Sequence, residues 1–107
     1  MREMSHVNEE AIERASNLFK ALSEPNRLTI IYLLSLGELS VGELTMRIEM
    51  TQSAVSHQLK ILKAARLVKS KKEGKSRIYS LTDAHVYEIV NQVLTHVQEK
   101  ENEYGAV

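Results

Sequence analysis

Two histidines, His85 and His96, stand eleven residues apart, with Asp83 two positions before the first and Glu99 three after the second. Imidazole nitrogen and carboxylate oxygen are donors that zinc, cobalt and nickel all accept, so the four read as a metal-ligating set. One helix cannot bring them to one ion. At about 100° per residue, eleven residues return to within roughly 20° of the same face while advancing about 16 Å along the axis, and a zinc–nitrogen bond spans only about 2 Å. A second copy of the helix, antiparallel about a two-fold axis near Val90 and Asn91, would set His85 of one chain beside His96 of the other and create two equivalent sites astride an interface. Glu99 joins readily because positions three apart are neighbours. Asp83 joins only if the helix is just starting there, and Ser80-Leu81-Thr82-Asp83 supplies candidate N-caps. A plainer reading stays open: Asp83 merely favours the positive end of the helix, and the histidines and Glu99 are solvated surface groups.

The elements that must position these residues fit one small domain spanning residues 1–107, with an ordered core over 9–99 and a frayed tail over 100–107. A core of that size gains from oligomerisation. The absence of cysteine excludes disulfides, thiolate metal sites and thiol redox sensing. No apolar run approaches the ~18 residues of a membrane span. Met1 to Ser16 carries Glu9, Glu10 and Glu13 in place of a signal peptide's apolar stretch, so the expectation is a cytoplasmic protein with no membrane partner.

Apolar spacing predicts a helix from Glu9 to Leu22, with Ile12, Ala15, Leu18, Phe19 and Leu22 recurring at helical intervals. Ser23 as N-cap and Pro25 in the first turn open a second helix, in which Leu28, Ile31, Tyr32 and Leu34 or their neighbours face inward until Gly37. Ser40-Val41-Gly42-Glu43 reads as a capping box for a short helix to about Glu49, and Thr51 starts the next, with Val55, Leu59, Leu62 and Ala65 as its buried stripe. Two short helices around a tight turn suggest a helix-turn-helix. Val68 to Lys72 and Arg77 to Leu81 then read as a hairpin around Glu73-Gly74-Lys75-Ser76, which would form a wing. A final helix from Asp83 to Glu99 offers Val86, Ile89, Val90, Val93, Leu94 and Val97 to a partner helix. The fold class is therefore mainly α with a small β-hairpin, dimerising through terminal helices.

Zero formal net charge conceals an asymmetry: residues 1–50 carry −3, residues 51–80 carry +7 and residues 81–107 carry −4. A basic segment on a helix and wing matches the electrostatic footprint of double-stranded DNA binding. On the second helix of the pair, Gln52, Ser53, Ser56, His57 and Lys60 lie opposite the apolar stripe, where a helix in the major groove meets bases. Gln52, Ser56 and His57 are candidates for base readout. Lys60, Lys63, Lys71, Lys72, Lys75 and Arg77 are candidates for phosphate contacts, which add affinity and salt dependence with little sequence discrimination.

The stretch Thr51-Gln52-Ser53-Ala54-Val55-Ser56-His57-Gln58-Leu59-Lys60-Ile61-Leu62, followed by Gly74-Lys75-Ser76-Arg77-Ile78-Tyr79, closely resembles the ArsR/SmtB metal-responsive repressors. Phe19-Lys20-Ala21-Leu22-Ser23-Glu24-Pro25-Asn26-Arg27 is similar to that family's early helix junction, and Asp83-x-His85 with His96-x-x-Glu99 to the C-terminal helix of its zinc sensors. The resemblance covers nearly the whole chain. It implies a tetrahedral zinc site shared between subunits, with Asp83 and His85 of one protomer meeting His96 and Glu99 of the other. One departure matters: many relatives place cysteines where this chain has Leu39-Ser40-Val41-Gly42, which argues against arsenite, lead, mercury or thiolate-bound cadmium as inducer. His6 is at most an accessory ligand.

The function so implied is a zinc-responsive repressor: the metal-free homodimer binds an inverted-repeat operator, and zinc weakens that binding and releases metal efflux or resistance genes. A hydrogen bond from His96 toward the Arg66–Leu67 backbone is the expected link to the reading helix. A regulator responding to cobalt or nickel, or one without a metal effector, is the alternative. A hydrolytic zinc enzyme is disfavoured, since four protein ligands leave no open coordination position and no nucleophile or small-molecule substrate site is evident.

Overall fold

Each helix begins where a side chain can accept its free amides. In a computed structural model, which describes residues 6–104 and the side chains of residues 6–99, Asn8 caps α1 (Glu9–Leu22) by accepting from the Ala11 amide at 2.8 Å. Glu24, not Ser23, caps α2 (Pro25–Ser35), taking the Arg27 amide at 3.0 Å. Ser23 instead closes α1, its hydroxyl donating to the Lys20 carbonyl at 2.7 Å. The longer glutamate can reach over Pro25 while the serine turns back.

After β1 (Leu39–Ser40), the expected capping box opens α3 (Val41–Arg47): the Glu43 amide donates to the Ser40 hydroxyl at 3.1 Å and the Ser40 amide to the Glu43 carboxylate at 2.9 Å. The bond from the Ser40 amide is the main reason that the Glu43 carboxyl is held below its ordinary pKa. Its contribution to folding is therefore present above the ordinary carboxylate range and lost as pH falls through the lowered value. The helix ends at Arg47, two residues before Glu49.

Thr51 caps α4 (Gln52–Ala64). That helix closes in a Schellman turn, with the Leu67 amide bonded to the Leu62 carbonyl and the Arg66 amide to the Lys63 carbonyl, each at 3.0 Å. Arg66 sits at φ +60, in the left-handed region that favours glycine. Arg66→Gly is expected to raise stability by up to about 1 kcal/mol, read as a higher urea midpoint at unchanged m and fixed protein concentration.

Strands β2 (Val68–Glu73) and β3 (Ser76–Leu81) form the wing, in register from Val68↔Leu81 to Glu73↔Ser76. Gly74, at φ +62, takes the first of the two connecting positions. The hairpin is not alone: β1 adds to β3, with Leu39 opposite Tyr79, giving an antiparallel sheet of order β1-β3-β2. Helix α5 spans Ala84–Tyr104, running past Glu99. The tail expected to fray from Lys100 is therefore helical backbone through Tyr104, and its remainder, residues 105–107, lies outside the described residues.

The core is drawn from every layer: Ile30, Ile31 and Leu34 of α2, Leu44 of α3, Val55, Leu59 and Leu62 of α4, Leu67 and Val68 at the wing's base, and Val86 and Val90 of α5. Tyr32, expected inside, is 44% exposed, and Ile30 takes the inward place. The apolar stripe of α5 splits. Val86 and Val90 are buried and Leu94 packs against this core, whereas Ile89, Val93 and Val97 face outward along with Phe19 and Ile12 of α1. The outward surface is thus only half of the expected stripe.

Candidate nucleic-acid interface and metal half-sites

Helix α4 presents Gln52, Ser53, Ser56, His57, Lys60 and Lys63 as exposed side chains. With Val55, Leu59 and Leu62 buried beneath, 100° per residue puts Ser53, His57 and Lys60 outermost, while Gln52, Ser56 and Lys63 fall within about 40° of one another on one flank. The next side chain on α4, Gln58, is half-buried and serves structure: its carbonyl oxygen accepts from an Arg27 guanidinium nitrogen at 3.1 Å. Arg27 Nε also donates to the Ala21 carbonyl at 2.7 Å, so one side chain fastens the end of α1 to the reading helix. Arginine's fork permits this double bond. A lone half-buried arginine after a proline gives no periodic signal, so sequence reasoning missed it.

Alternation along the wing divides its cations between two faces. Ser70, Lys72, Arg77 and Tyr79 share the face of buried Val68, whereas Lys69 and Lys71 point the other way. Lys71, expected to contact phosphate, lies 3.6 Å from Glu38 and 3.9 Å from Glu73. These exposed pairs are weak and exchangeable, but they place Lys71 apart from α4. Lys72 and Lys75 are exposed, with no carboxylate in ion-pair range among the described residues.

Two residues after β3, Asp83 starts α5. One carboxylate oxygen accepts from the His85 amide at 2.9 Å and the Val86 amide at 3.3 Å, and lies 3.4 Å from His85 Nδ1. The N-cap geometry is what turns a residue two positions before His85 toward it, as the sequence argument required. His96 and Glu99 are exposed one turn apart near the other end of the same helix. His85 and His96 fall on one face within about 20° of each other, beside the outward Ile89 and Val93. Each protomer therefore holds two pairs of donors, and no group of three or more His, Asp or Glu forms among its described residues. His6 is exposed ahead of α1 and joins neither pair.

The expected bond from His96 to the Arg66–Leu67 backbone is not made within the protomer. Thr82 occupies that place: its hydroxyl donates to the Arg66 carbonyl at 2.9 Å and lies 3.3 Å from the Leu67 carbonyl, and its amide donates to the Leu67 carbonyl at 3.1 Å. The residue beside Asp83 is thus bonded to the Schellman turn that follows α4.

Residues 24–70 match the family described as "Bacterial regulatory protein, arsR family". The chain is 39% identical over 89 residues to the transcriptional repressor SmtB homolog of Synechocystis, covering 83% of this chain and 67% of that one. It is 37% identical over 112 residues to the cadmium resistance transcriptional regulatory protein CadC homolog of Staphylococcus aureus, covering 92% and 93%. The chain belongs to the ArsR family. Its fold matches that of the homodimeric winged helix-turn-helix DNA-binding domain Mb0332 of Mycobacterium bovis at a TM-score of 0.82 and 25% identity, over 94% of this chain and 95% of the other. This ArsR/SmtB-type member is a DNA-binding transcriptional repressor and not an enzyme, so α3 and α4 are its helix-turn-helix and the β2–β3 hairpin its wing.

Proposed function

We propose that the protein is a zinc-responsive repressor that acts as a homodimer on an inverted-repeat operator and yields that operator when metal binds, releasing metal efflux or resistance genes. One observation carries the reading: Asp83 and His85 stand 3.4 Å apart and exposed, His96 and Glu99 form a second exposed pair on the same helix, and neither pair is complete in one protomer. Exposed Ile89, Val93 and Val97 beside them supply an apolar seam for a second α5. Asp83 and His85 of one protomer, with His96 and Glu99 of the partner subunit, would hold the ion. Two imidazoles and two carboxylates suit a four-coordinate divalent metal with no thiolate preference. The ion would supply a cross-link between subunits.

What the chain's own residues do follows from their bonds. Asp83 caps α5 through one oxygen, leaving the other without a hydrogen bond among the described residues. Thr82, its neighbour, holds the Schellman turn that follows α4. A change in the position of the Asp83 carboxylate therefore bears on the anchorage of the reading helix, which gives two binding equilibria a physical link. Coupling of about 1–3 kcal/mol changes DNA affinity by roughly 5- to 150-fold.

The test is a salt-controlled titration of metal-free dimer against genomic DNA fragments from its own promoter region, repeated with zinc, cobalt and nickel. Zinc is expected to weaken binding within that range and to outrank the other two. Equal affinity with and without every metal would end the metal-sensing reading while leaving DNA binding intact.

A further inference from the structure

Lys63 of α4 and Arg77 of β3 donate to one acceptor, the Ser70 hydroxyl of β2, each at 3.1 Å. Two cationic groups are thereby held within roughly 6 Å of each other, where like charges repel. Neither has a carboxylate in ion-pair range among the described residues, whereas Lys71 on the opposite face has two. A hydroxyl accepts two hydrogen bonds and donates one. With both accepting positions filled, the Ser70 proton is left to donate outward. The cluster thus offers an ammonium, a guanidinium and a hydroxyl, three donors around a point with no anion of its own.

We propose that Lys63, Ser70 and Arg77 form a seat for a single DNA backbone phosphodiester. The inference rests on the DNA-binding function of α4 and the wing, and deepens it. A phosphodiester group carries one negative charge and only acceptor oxygens, the complement of this donor set. Lys63 shares the flank of α4 that carries Gln52 and Ser56, and Arg77 stands opposite Lys72 on the wing. The seat therefore lies at the angle between reading helix and wing, where it fixes how α4 sits against the duplex. Ser70 is a positioning residue: half-buried at the base of the hairpin, it aims two flexible cations at one phosphate instead of two.

The experiment uses the full chain and a random-sequence duplex, so no operator is needed. Binding is measured across a salt series for wild type, Lys63→Gln, Arg77→Gln, the double variant, Ser70→Ala and Ser70→Thr, with circular dichroism and sedimentation checking fold and oligomeric state. One seat predicts that the double variant flattens the slope of log affinity against log salt by about 0.9 per protomer, one phosphate's worth, and that neither single variant exceeds it. Ser70→Ala is expected to bind about 3- to 10-fold more weakly at fixed salt, and Ser70→Thr to bind like wild type. A double-variant loss near 1.8 per protomer, showing two separate phosphates, or wild-type affinity in Ser70→Ala, overturns the seat while DNA binding stands. A wild-type protein that binds no duplex overturns both.

Discussion

Val93→Asp is expected to give a folded monomer that has lost both metal capture and tight operator binding. Val93 is 49% exposed between Ile89 and Val97 on the outward side of α5, across a shallow apolar groove from Phe19, itself 59% exposed. None of these side chains is among the protomer's own buried core, to which α5 contributes Val86 and Val90. At an interface between two copies of α5, the substitution would bury a carboxylate with no cation beside it, and two-fold symmetry would double the cost. Loss of the second reading head removes the effective concentration that makes the second half-site contact intramolecular, so affinity for a palindromic site should fall by roughly 10²- to 10⁴-fold. Sedimentation equilibrium, helical circular dichroism and metal stoichiometry read the outcome together. A Val93→Asp dimer with wild-type metal stoichiometry would place the interface elsewhere.

That the outward half of the stripe could not be told from the inward half marks a boundary on what this sequence reveals. Periodicity located α1 to the residue, the Ser40–Glu43 capping box, the start of α4 at Thr51 and the hairpin turn at Gly74, because each depends on contacts within a few positions. Where several apolar residues compete for one core, spacing alone cannot choose among them: Ile30 wins over Tyr32, and Val86 and Val90 over Ile89 and Val93. Strand β1 was invisible for a related reason. Its two residues pair with Tyr79 and Ile78, far along the chain, and have no local pattern of their own. The candidate site divides the same way. All the α4 residues expected to read DNA emerge exposed, and the Asp83 cap turns toward His85 as required, yet Arg27, Ser70 and Thr82, which orient those residues, act through bonds across 7 to 31 positions. A polar residue that works by holding another leaves no spacing signature.

The clearest dissection of sensing comes from pairing His96→Ala with Thr82→Val, since each is expected to break a different link. His96 is exposed and makes no side-chain hydrogen bond within the described protomer, so its removal should leave fold, dimer and metal-free DNA affinity unchanged. In the proposed arrangement it takes one nitrogen donor from each of the two shared sites, and loss of a direct ligand should cost metal affinity more than the roughly 10- to 100-fold typical of an outer-shell partner. Zinc at concentrations that release wild-type protein from DNA would then have no effect on the variant. Thr82→Val keeps all four ligands and nearly the same side-chain volume, but loses the hydroxyl that donates to the Arg66 carbonyl. The amide bond to the Leu67 carbonyl survives, so the turn remains attached at one point. Its expected signature is metal affinity near wild type with the zinc effect on DNA binding reduced several-fold, a split that calorimetric metal titration and DNA titration resolve. Because coupling is reciprocal, DNA should also weaken zinc binding less in Thr82→Val than in wild type. If Thr82→Val retains the full zinc response, the link runs through another contact; if His96→Ala retains it, the metal is held by other residues, and the C-terminal helix pairs are surface groups.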